Sequence, residues 1–259
     1  MRPIFLSHSN KDNKIVLTIQ KHLYKNFIQS WIDRSDIPPG ANIWESISSS
    51  IRKGRYFMPI ISKNYCSSRP CMEELSNAYH RYVKGELKII PIILIDEKEP
   101  DFESFAIDKT NLIKSITENI KYVAFDVYDE SSGLRNVVDA VWAHESIKFS
   151  QIEIMEINSI KFQLIKFQTN VSKLPSDFLM DWGFNIEDFI SEGDNDKKLI
   201  KPLLPVAFNG AAPNWLISFL TIPFKNQRTV FLFNNRTGDY ICVYSLDKDK
   251  MIGQSLKVK

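Results

Sequence analysis

Two short segments of the sequence carry the side chains best suited to chemistry. The first is residues 7–10 (SHSN), directly after an apolar run, and the second carries Cys71, Glu73 and Glu74. A carboxylate fixed in a crevice stabilises positive charge that develops on a substrate, and nearby hydroxyl and main-chain groups bind sugar or phosphate oxygens. Cys71 has no base beside it in the sequence, which favours a small buried side chain over a nucleophile.

The first part of the chain alternates short β-branched runs with amphipathic helical stretches. This alternation is typical of a parallel sheet covered by helices on both faces. The predicted strands are residues 3–7, 27–32, 56–61, 87–95 and 122–127. A last helical stripe ends near His144, so an α/β domain with a five-stranded parallel sheet is predicted over residues 1–144.

The winding of such a sheet brings the two chemical segments together. Ligands of doubly wound sheets gather outside the carboxyl ends of the strands where the winding reverses, which indicates the loops after the first and third strands. These loops carry residues 7–10 and lead into the helix of Glu74. Ser9 and Asp12 stand at the spacing of a capping box, which predicts that they begin the helix after the first strand.

Residues 145–259 lack this alternation and predict a smaller α+β domain of unknown role. Residues 151–168 alternate apolar and polar side chains, and residues 215–223 and 228–245 predict antiparallel strands. The segment NNRTGD at 234–239 is typical of a hairpin turn, because Gly and Asn accept positive φ. A short helix is predicted over residues 176–191.

Composition excludes several classes of partner. The 259 residues carry a net charge of +2, so no general attraction to nucleic acid or to an anionic membrane is expected, and any anion site must be local. No window approaches the ~20 apolar residues that span a bilayer, and the N-terminus lacks the pattern of a signal peptide. The three cysteines show neither a CxxC pair nor metal-ligand spacing to histidine, which predicts no metal site and a reducing, cytoplasmic location.

Four segments, taken in order, resemble a known family. IFLSHSNKD at 4–12 resembles the first box of bacterial TIR (Toll/interleukin-1 receptor-like) domains, and WIDRSDIPPGANIWESI at 31–47 resembles the segment with the BB loop. SSRPCMEEL at 67–75 is similar to the family's S-x-W-C-x-x-E-L motif, and PIILID at 91–96 to its fourth strand. The resemblance implies a flavodoxin-like TIR domain over about the first 144 residues.

The resemblance also implies an enzyme that cleaves NAD⁺ and a set of site residues. In enzymatic TIR domains the glutamate of the third segment is catalytic, and alignment of the motif places it at Glu74, not at Glu73. Pro70 stands where the family usually has Trp, so an aromatic wall of the pocket is either missing or supplied by Trp44 or Trp31. NAD⁺ is the substrate, and neither a cofactor nor a metal is expected. The residues implied to bind the substrate are Phe5, Ser7, His8, Arg34, Trp44, Ser68 and Cys71.

One carboxylate is enough for this reaction. Ordinary glycosidases need a second carboxyl group to protonate the leaving oxygen. The nicotinamide of NAD⁺ is already a cationic pyridinium and departs as a neutral molecule, so only the positive charge on the ribose needs stabilisation. A glutamate early in a helix is favoured as the anion by the positive helix end, which suits Glu74 to this role.

Three functional hypotheses follow. The first is an NAD⁺ nucleosidase or cyclase of the prokaryotic antiviral defence type, similar to Thoeris TIR proteins. This enzyme would self-associate through TIR–TIR contacts. The second is a non-catalytic TIR adaptor that only self-associates, and Pro70 favours it. The third is an enzyme whose ADP-ribose-type product signals to a separate effector protein, with residues 145–259 as the sensor of an activator.

Overall fold

The computed structural model describes residues 4–32, 56–95, 111–169, 174, 186–190, 199–201, 204–226, 229–247 and 252–258. The chain divides into two compact units. Met1–Tyr24 and Ile28–His144 form the first unit, and Lys25–Phe27 and Glu145–Lys259 form the second. Each unit is described separately below.

The first unit is built on a parallel sheet. Its described strands are β1 (Ile4–Ser7), β2 (Ser30–Ile32), β3 (Tyr56–Ile61), β4 (Lys88–Ile89), β5 (Ile92–Ile95) and β6 (Val123–Asp126). They follow the order β2-β1-β3-β5-β6, and β4 also pairs with β3. Strands β4 and β5 are successive segments beside β3, separated by Ile90 and by Pro91, which has no N–H to donate. The described strands therefore occupy five positions in the sheet. The predicted flavodoxin-like, five-stranded parallel sheet is confirmed.

The first helix of the first unit buries one apolar stripe. In α1 (Asn13–Lys25) the stripe consists of Val16, Ile19 and Leu23, three and four residues apart. The other described helices are α2 (Lys63–Cys66), α3 (Arg69–Val83), α4 (Asn111–Asn119) and α5 (Glu130–Trp142). Since α2 and α3 follow β3 directly, they rise from the same edge of the sheet at which β1 ends.

The predicted capping box at Ser9 and Asp12 is wrong. A single 3-10 turn, Asn10–Asp12, precedes α1, and within the described residues the Ser9 side chain accepts no capping hydrogen bond. The Asp12 carboxylate instead accepts hydrogen bonds from Ser62 Oγ at 2.5 Å and Asn64 Nδ2 at 2.7 Å. A contact across the sheet edge has therefore replaced the local one that the spacing suggested.

The second unit contains a mixed sheet and fits the predicted α+β class. The described strands are β7 (Ile147–Phe149), β8 (Glu153–Ile157), β9 (Ile160–Thr169), β10 (Val206–Asn209), β11 (Thr229–Asn234), β12 (Asp239–Ser245) and β13 (Ser255–Lys257). Their order in the sheet is β13-β12-β11-β10-β9-β7, with β8 beside β9. Strands β11 and β12 form the predicted hairpin, with Gly238 at a φ of 72° in its turn.

One predicted strand of the second unit is a helix. Residues 215–223 fall mostly in α6 (Asn214–Thr221), which buries Leu216 and Leu220, four residues apart. A short apolar run without polar alternation suits either structure, and Pro213 before it fits the start of a helix. The helix predicted over 176–191 lies largely outside the described residues. In its described part, Ile186–Phe189 forms a 3-10 turn.

Candidate active site at the carboxyl ends of the first and third strands

Glu74 occupies a core position of helix α3. The buried residues of α3 are Cys71, Glu74, Leu75 and Ala78, which fall at helical spacing on one face. The exposed fraction of Glu74 is 4%, and its apolar neighbours on this face belong to the core of the first unit. Burying a carboxylate is costly unless it is hydrogen-bonded. A polar partner must therefore hold Glu74 inside the unit.

Ser7, the last residue of β1, is that partner. Its hydroxyl donates a hydrogen bond to Glu74 Oε2 at 2.5 Å, and the serine is fully buried. This length is typical of a hydroxyl that donates to a carboxylate. Strand β1 lies between β2 and β3 in the sheet, with Ser7 in register with Pro59. The backbone of Ser7 is thus fixed, which in turn fixes the Glu74 carboxylate at the carboxyl end of β1.

Tyr65 completes the cluster from helix α2. Its hydroxyl lies 3.0 Å from Ser7 Oγ and donates to the Cys71 carbonyl at 3.2 Å. Because the single Ser7 proton points to Glu74, Ser7 Oγ can only accept from Tyr65, whose one proton is then shared between Ser7 Oγ and the Cys71 carbonyl. Burial raises the pKa of Tyr65 well above its ordinary value, and the nearby charge of Glu74 adds to this. Tyr65 therefore remains a neutral donor that orients Ser7.

The neighbouring Glu73 points the other way. Its Oε1 accepts a hydrogen bond from Arg69 Nε at 2.7 Å, and 41% of its side chain is exposed. Successive residues of an α-helix are turned by about 100°. The structure thus buries one glutamate against β1 and leaves the other in a surface ion pair, which separates the two candidates that the sequence placed side by side.

A cleft lies at the same edge of the sheet as this cluster. Its volume is about 490 Å³, and it opens between the loop after β1 and the loop after β3. The lining residues are Ser9, Asn10, Lys11, Lys63, Asn64, Ser67 and Ser68. The contacts of Asp12 with Ser62 and Asn64 tie the two loops together beside the cleft. Cleft and carboxylate therefore share the edge of the sheet that the topology predicts for a ligand.

The structure brings most of the predicted substrate-binding residues to this edge, in different ways. The His8 carbonyl accepts a hydrogen bond from the Cys71 thiol at 3.3 Å, so Cys71 is buried and pins the loop after β1. Ser68 precedes α3 and lines the cleft. The Phe5 side chain is fully buried and stacks on Trp31 at a centroid distance of 4.2 Å, which leaves only its main chain for a substrate.

Three further sequence expectations bear on the site. Arg34 and Trp44 lie outside the described residues. Pro70, which replaces the family's Trp, falls in the first turn of α3, where a missing N–H costs nothing. Glu74 stands beyond that first turn, so the expected help from the helix dipole is weaker than the sequence suggested, and the Ser7 hydroxyl takes its place.

Sequence reasoning missed Tyr65, which lies on a short helix just before the segment at 67–75. It also assigned no role to Lys11 and Lys63, which line the cleft, although Lys11 stands inside the quoted segment at 4–12. The available signal was the topology, since any polar residue in the first turn after β1 or β3 lies near the ligand edge. Ser62 caps helix α2, because its Oγ accepts a hydrogen bond from the Tyr65 N–H at 3.0 Å. This cap positions Tyr65 for its contact with Ser7.

Replacing Tyr65 by phenylalanine tests its place in the cluster. The change removes one hydroxyl and leaves the ring in the core, so we expect the free energy of unfolding to fall by about 1 kcal/mol. Tyr79→Phe is the matched control, because its half-buried hydroxyl contacts Ser115 Oγ at 2.9 Å away from Glu74. Urea unfolding measures the stability of both variants. Catalytic turnover should fall in Tyr65→Phe only.

The raised pKa of Tyr65 gives this variant a second readout. A group whose pKa is raised on folding contributes stability at neutral pH that is lost as the pH rises above its ordinary value of 10.0. Above that pH the wild type should lose stability more steeply than Tyr65→Phe. Equal slopes in the two proteins would contradict a buried, neutral Tyr65.

Two features define the class of domain. The first unit has the strand order of a flavodoxin-like α/β fold, and it buries a glutamate at the point where the winding of the sheet reverses. Residues 4–136 match the profile of the family described as "TIR domain". This match covers half of the chain and runs from β1 into α5. The chain belongs to the TIR domain family, as the sequence motifs predicted.

Several known proteins are similar to this chain. It is 26% identical over 142 residues to "Probable 2′ cyclic ADP-D-ribose synthase BdTIR" of Brachypodium distachyon, covering 50% of this chain and 61% of that protein. It is 24% identical over 127 residues to "NAD(+) hydrolase TcpA" of a Theionarchaea archaeon, covering 48% of this chain and 38% of that protein. The chain thus spans less than two thirds of each curated relative.

A solved structure is also similar to this chain. The TIR domains of the activated Roq1 resistosome are 23% identical, with a TM-score of 0.43, over 54% of this chain and 99% of that one. Within the described residues, no helix is long and apolar enough to cross a membrane. The same residues contain no group of three or more His, Cys, Asp or Glu side chains that would hold a metal ion.

Proposed function

We propose that this protein cleaves the bond between nicotinamide and ribose in NAD⁺, with Glu74 as the catalytic residue. The observation that carries the proposal is the buried Glu74 carboxylate, fixed by the Ser7 hydroxyl at the carboxyl end of β1. A fixed carboxylate in a water-poor site stabilises a cation far more strongly than the same group in water.

The chemistry needs only charge stabilisation. As the C1′–N bond breaks, its electron pair leaves with nicotinamide, which becomes neutral, and positive charge develops on the ribose. Glu74 opposes that charge, directly or through the ribose hydroxyls, and Ser7 keeps its carboxylate in place. Water then attacks C1′ and loses a proton, which gives ADP-ribose, or a group within the same molecule attacks C1′ and gives a cyclic product.

The names of the curated relatives support the activity. One is named an NAD⁺ hydrolase and another a probable 2′ cyclic ADP-D-ribose synthase. Hydrolysis and cyclisation differ only in the nucleophile that reaches C1′. Both alignments cover about half of this chain, which is the extent of the TIR domain. No cofactor enters the proposed reaction, because NAD⁺, drawn from the cytoplasmic pool, is the substrate.

Product analysis tests which bond is cleaved. Purified full-length protein is incubated with NAD⁺ in water enriched in oxygen-18, and the products are separated and weighed by mass spectrometry. We expect nicotinamide together with ADP-ribose that carries one heavy oxygen at C1′, or with a cyclic isomer that carries none. Nicotinamide mononucleotide and AMP would show cleavage of the diphosphate instead and would overturn the proposal.

A non-catalytic adaptor is the second candidate, and Pro70 favours it. The family's Trp is absent at this position, so one wall of the nucleotide pocket differs from that of enzymatic relatives. An adaptor would assemble without turnover, and substitutions at Pro38–Gly40 in the predicted BB loop would abolish assembly. Light scattering and nicotinamide release, measured on the same samples, separate an adaptor from an enzyme.

Self-association and signalling belong to the same proposal. We expect TIR–TIR contacts between copies to raise activity, so that the specific activity increases with protein concentration. A role in prokaryotic antiviral defence, with a separate effector that senses the product, rests on the family resemblance. Comparing the full chain with residues 1–144 tests whether the second unit acts as a sensor, since undiminished and still regulated activity of the short form would argue against it.

A further inference from the structure

Helix α2 is too short to hold its own position. It consists of Lys63–Cys66, a single turn, and an isolated turn of helix is unstable in water. It nevertheless carries Tyr65, whose hydroxyl lies 3.0 Å from Ser7 Oγ. Contacts from other parts of the chain must therefore keep α2 at the place where Tyr65 contacts the cluster of Glu74.

Asp12 makes two such contacts from the 3-10 turn after β1. Its carboxylate accepts a hydrogen bond from Ser62 Oγ at 2.5 Å and another from Asn64 Nδ2 at 2.7 Å. Both donors belong to the start of α2, one as its N-cap and the other within its turn. Hydrogen bonds to a charged acceptor are stronger than those between neutral groups. These two bonds, which we call the Asp12 brace, fasten α2 to the segment after β1.

The Asp12 brace also sets the direction of the Ser62 hydroxyl. A hydroxyl has one proton to donate and two lone pairs that accept. Because a carboxylate can only accept, the Ser62 proton points to Asp12, and a lone pair of Ser62 Oγ faces the Tyr65 N–H at 3.0 Å. Asp12 therefore orients the hydroxyl that caps the backbone of Tyr65.

These contacts form a continuous series from Asp12 to Glu74. Asp12 binds Ser62, and Ser62 caps the backbone of Tyr65. The Tyr65 hydroxyl contacts Ser7 Oγ, and Ser7 donates to Glu74 Oε2. Since Ser62, Tyr65 and Ser7 are all buried, water competes little for the bonds between them. A change at Asp12 can thus alter the position of a carboxylate that Asp12 does not contact in these bonds.

We propose that Asp12 is a positioning residue for the reaction, which acts on Glu74 by holding α2 where Tyr65 orients Ser7. The inference rests on the proposed function for the reaction, and on the hydrogen bonds of Asp12 for the positioning. Without the Asp12 brace, α2 gains freedom and the contact between Tyr65 and Ser7 loosens. The Glu74 carboxylate is then held less precisely while positive charge develops on the ribose.

A double-mutant cycle in the full chain tests this positioning role. We expect Asp12→Ala to lower the kcat for nicotinamide release about tenfold in the wild type, but less than about twofold in Tyr65→Phe. The second background has already lost the hydroxyl through which Asp12 acts. Asp129→Ala is the matched control, because Asp129 also accepts from the first turn of a helix, at 3.2 Å from the Ser132 N–H of α5. The control should lose stability in the same way and keep its kcat.

Exchanging the two partners tests the Asp12 brace itself. Asn64→Asp alone sets two carboxylates against each other, so its kcat should fall as in Asp12→Ala. In Asp12→Asn/Asn64→Asp, the amide at position 12 donates to the new carboxylate, and its oxygen still accepts from Ser62. We expect this swapped variant to recover a kcat within about twofold of the wild type. Hydrogen exchange of residues 62–67, measured by mass spectrometry, should quicken in Asp12→Ala and return to normal in the swapped variant.

The outcomes separate this inference from the proposed function. If the wild type cleaves NAD⁺ but Asp12→Ala keeps its kcat, or loses the same factor with and without the Tyr65 hydroxyl, the inference is overturned and the proposed function stands. Failure of the swapped variant to recover kcat would overturn it as well. If the wild type releases no nicotinamide but hydrogen exchange of residues 62–67 follows the Asp12 brace as expected, the proposed function fails and the positioning of α2 by Asp12 stands.

Discussion

Replacing Glu74 by glutamine should lower the kcat for nicotinamide release by about a thousandfold. The amide keeps the shape of the side chain and an oxygen that accepts from Ser7, but it removes the negative charge that opposes the developing cation. Since a buried carboxylate is costly to desolvate, the neutral variant should unfold no more easily than the wild type. A large loss of turnover without a loss of stability is the expected signature of a catalytic charge.

Glu73→Gln is the matched control for this prediction. The neighbouring glutamate has the same chemistry, but its carboxylate lies in a surface ion pair with Arg69. Exposed pairs of this kind contribute at most about 1 kcal/mol, so the control should keep nearly full activity and stability. Chromatographic assay of nicotinamide gives the rates. Equal activity of Glu74→Gln and the wild type would contradict a catalytic role for this carboxylate.

Ser7→Ala is expected to have the second largest effect. The substitution removes the hydroxyl between Glu74 and Tyr65 and leaves two buried polar groups without this partner. We expect a loss of about 2 kcal/mol in the free energy of unfolding, and a fall in kcat of about a hundredfold as the carboxylate loses its fixed position. Urea unfolding and nicotinamide release measure the two effects.

A second serine distinguishes positioning from folding in this experiment. Ser62 is buried and caps α2, and its hydroxyl donates to Asp12, but it does not contact the Glu74 carboxylate in the described hydrogen bonds. Ser62→Ala should therefore cost a similar amount of stability and much less turnover. If the two variants lose activity in proportion to their loss of stability, Ser7 acts only through the fold.

Much of the fold of the first unit follows from local patterns. The strand at 56–61 and the helix that begins after Ser68 are read directly from the sequence, since the first is a continuous apolar run buried along its whole length and the second begins at a typical helix start with an early proline. The strand at 87–95 is interrupted at Pro91, which the apolar run concealed. The topology then indicated the edge of the sheet at which a ligand would bind, because few windings of a parallel sheet are available.

Glu74 shows how far sequence reasoning reaches into the site. The motif distinguished it from Glu73, and the structure places the two side chains in different environments, one against β1 and one in solvent. The hydrogen bonds from Ser7 to Glu74 and from Tyr65 to Cys71 depend on how α2 and α3 pack on the sheet. Such tertiary contacts leave no periodic signal.

The two wrong predictions from the sequence share one origin. Ser9 and Asp12 have capping-box spacing, but Asp12 binds Ser62 and Asn64 on another loop, a choice that only the folded chain decides. Residues 215–223 lack polar alternation, so their composition did not distinguish a strand from the observed helix α6. In both cases a short local pattern was compatible with two structures, and tertiary packing selected one.

The most direct test of the central claim is a crystal structure of the Glu74→Gln variant with intact NAD⁺. We predict that the nicotinamide ribose lies against the side chain at position 74, close to the Ser7 hydroxyl, with its C1′ facing the position of the lost carboxylate. A dinucleotide bound with its ribose remote from the carboxyl end of β1 would contradict the account.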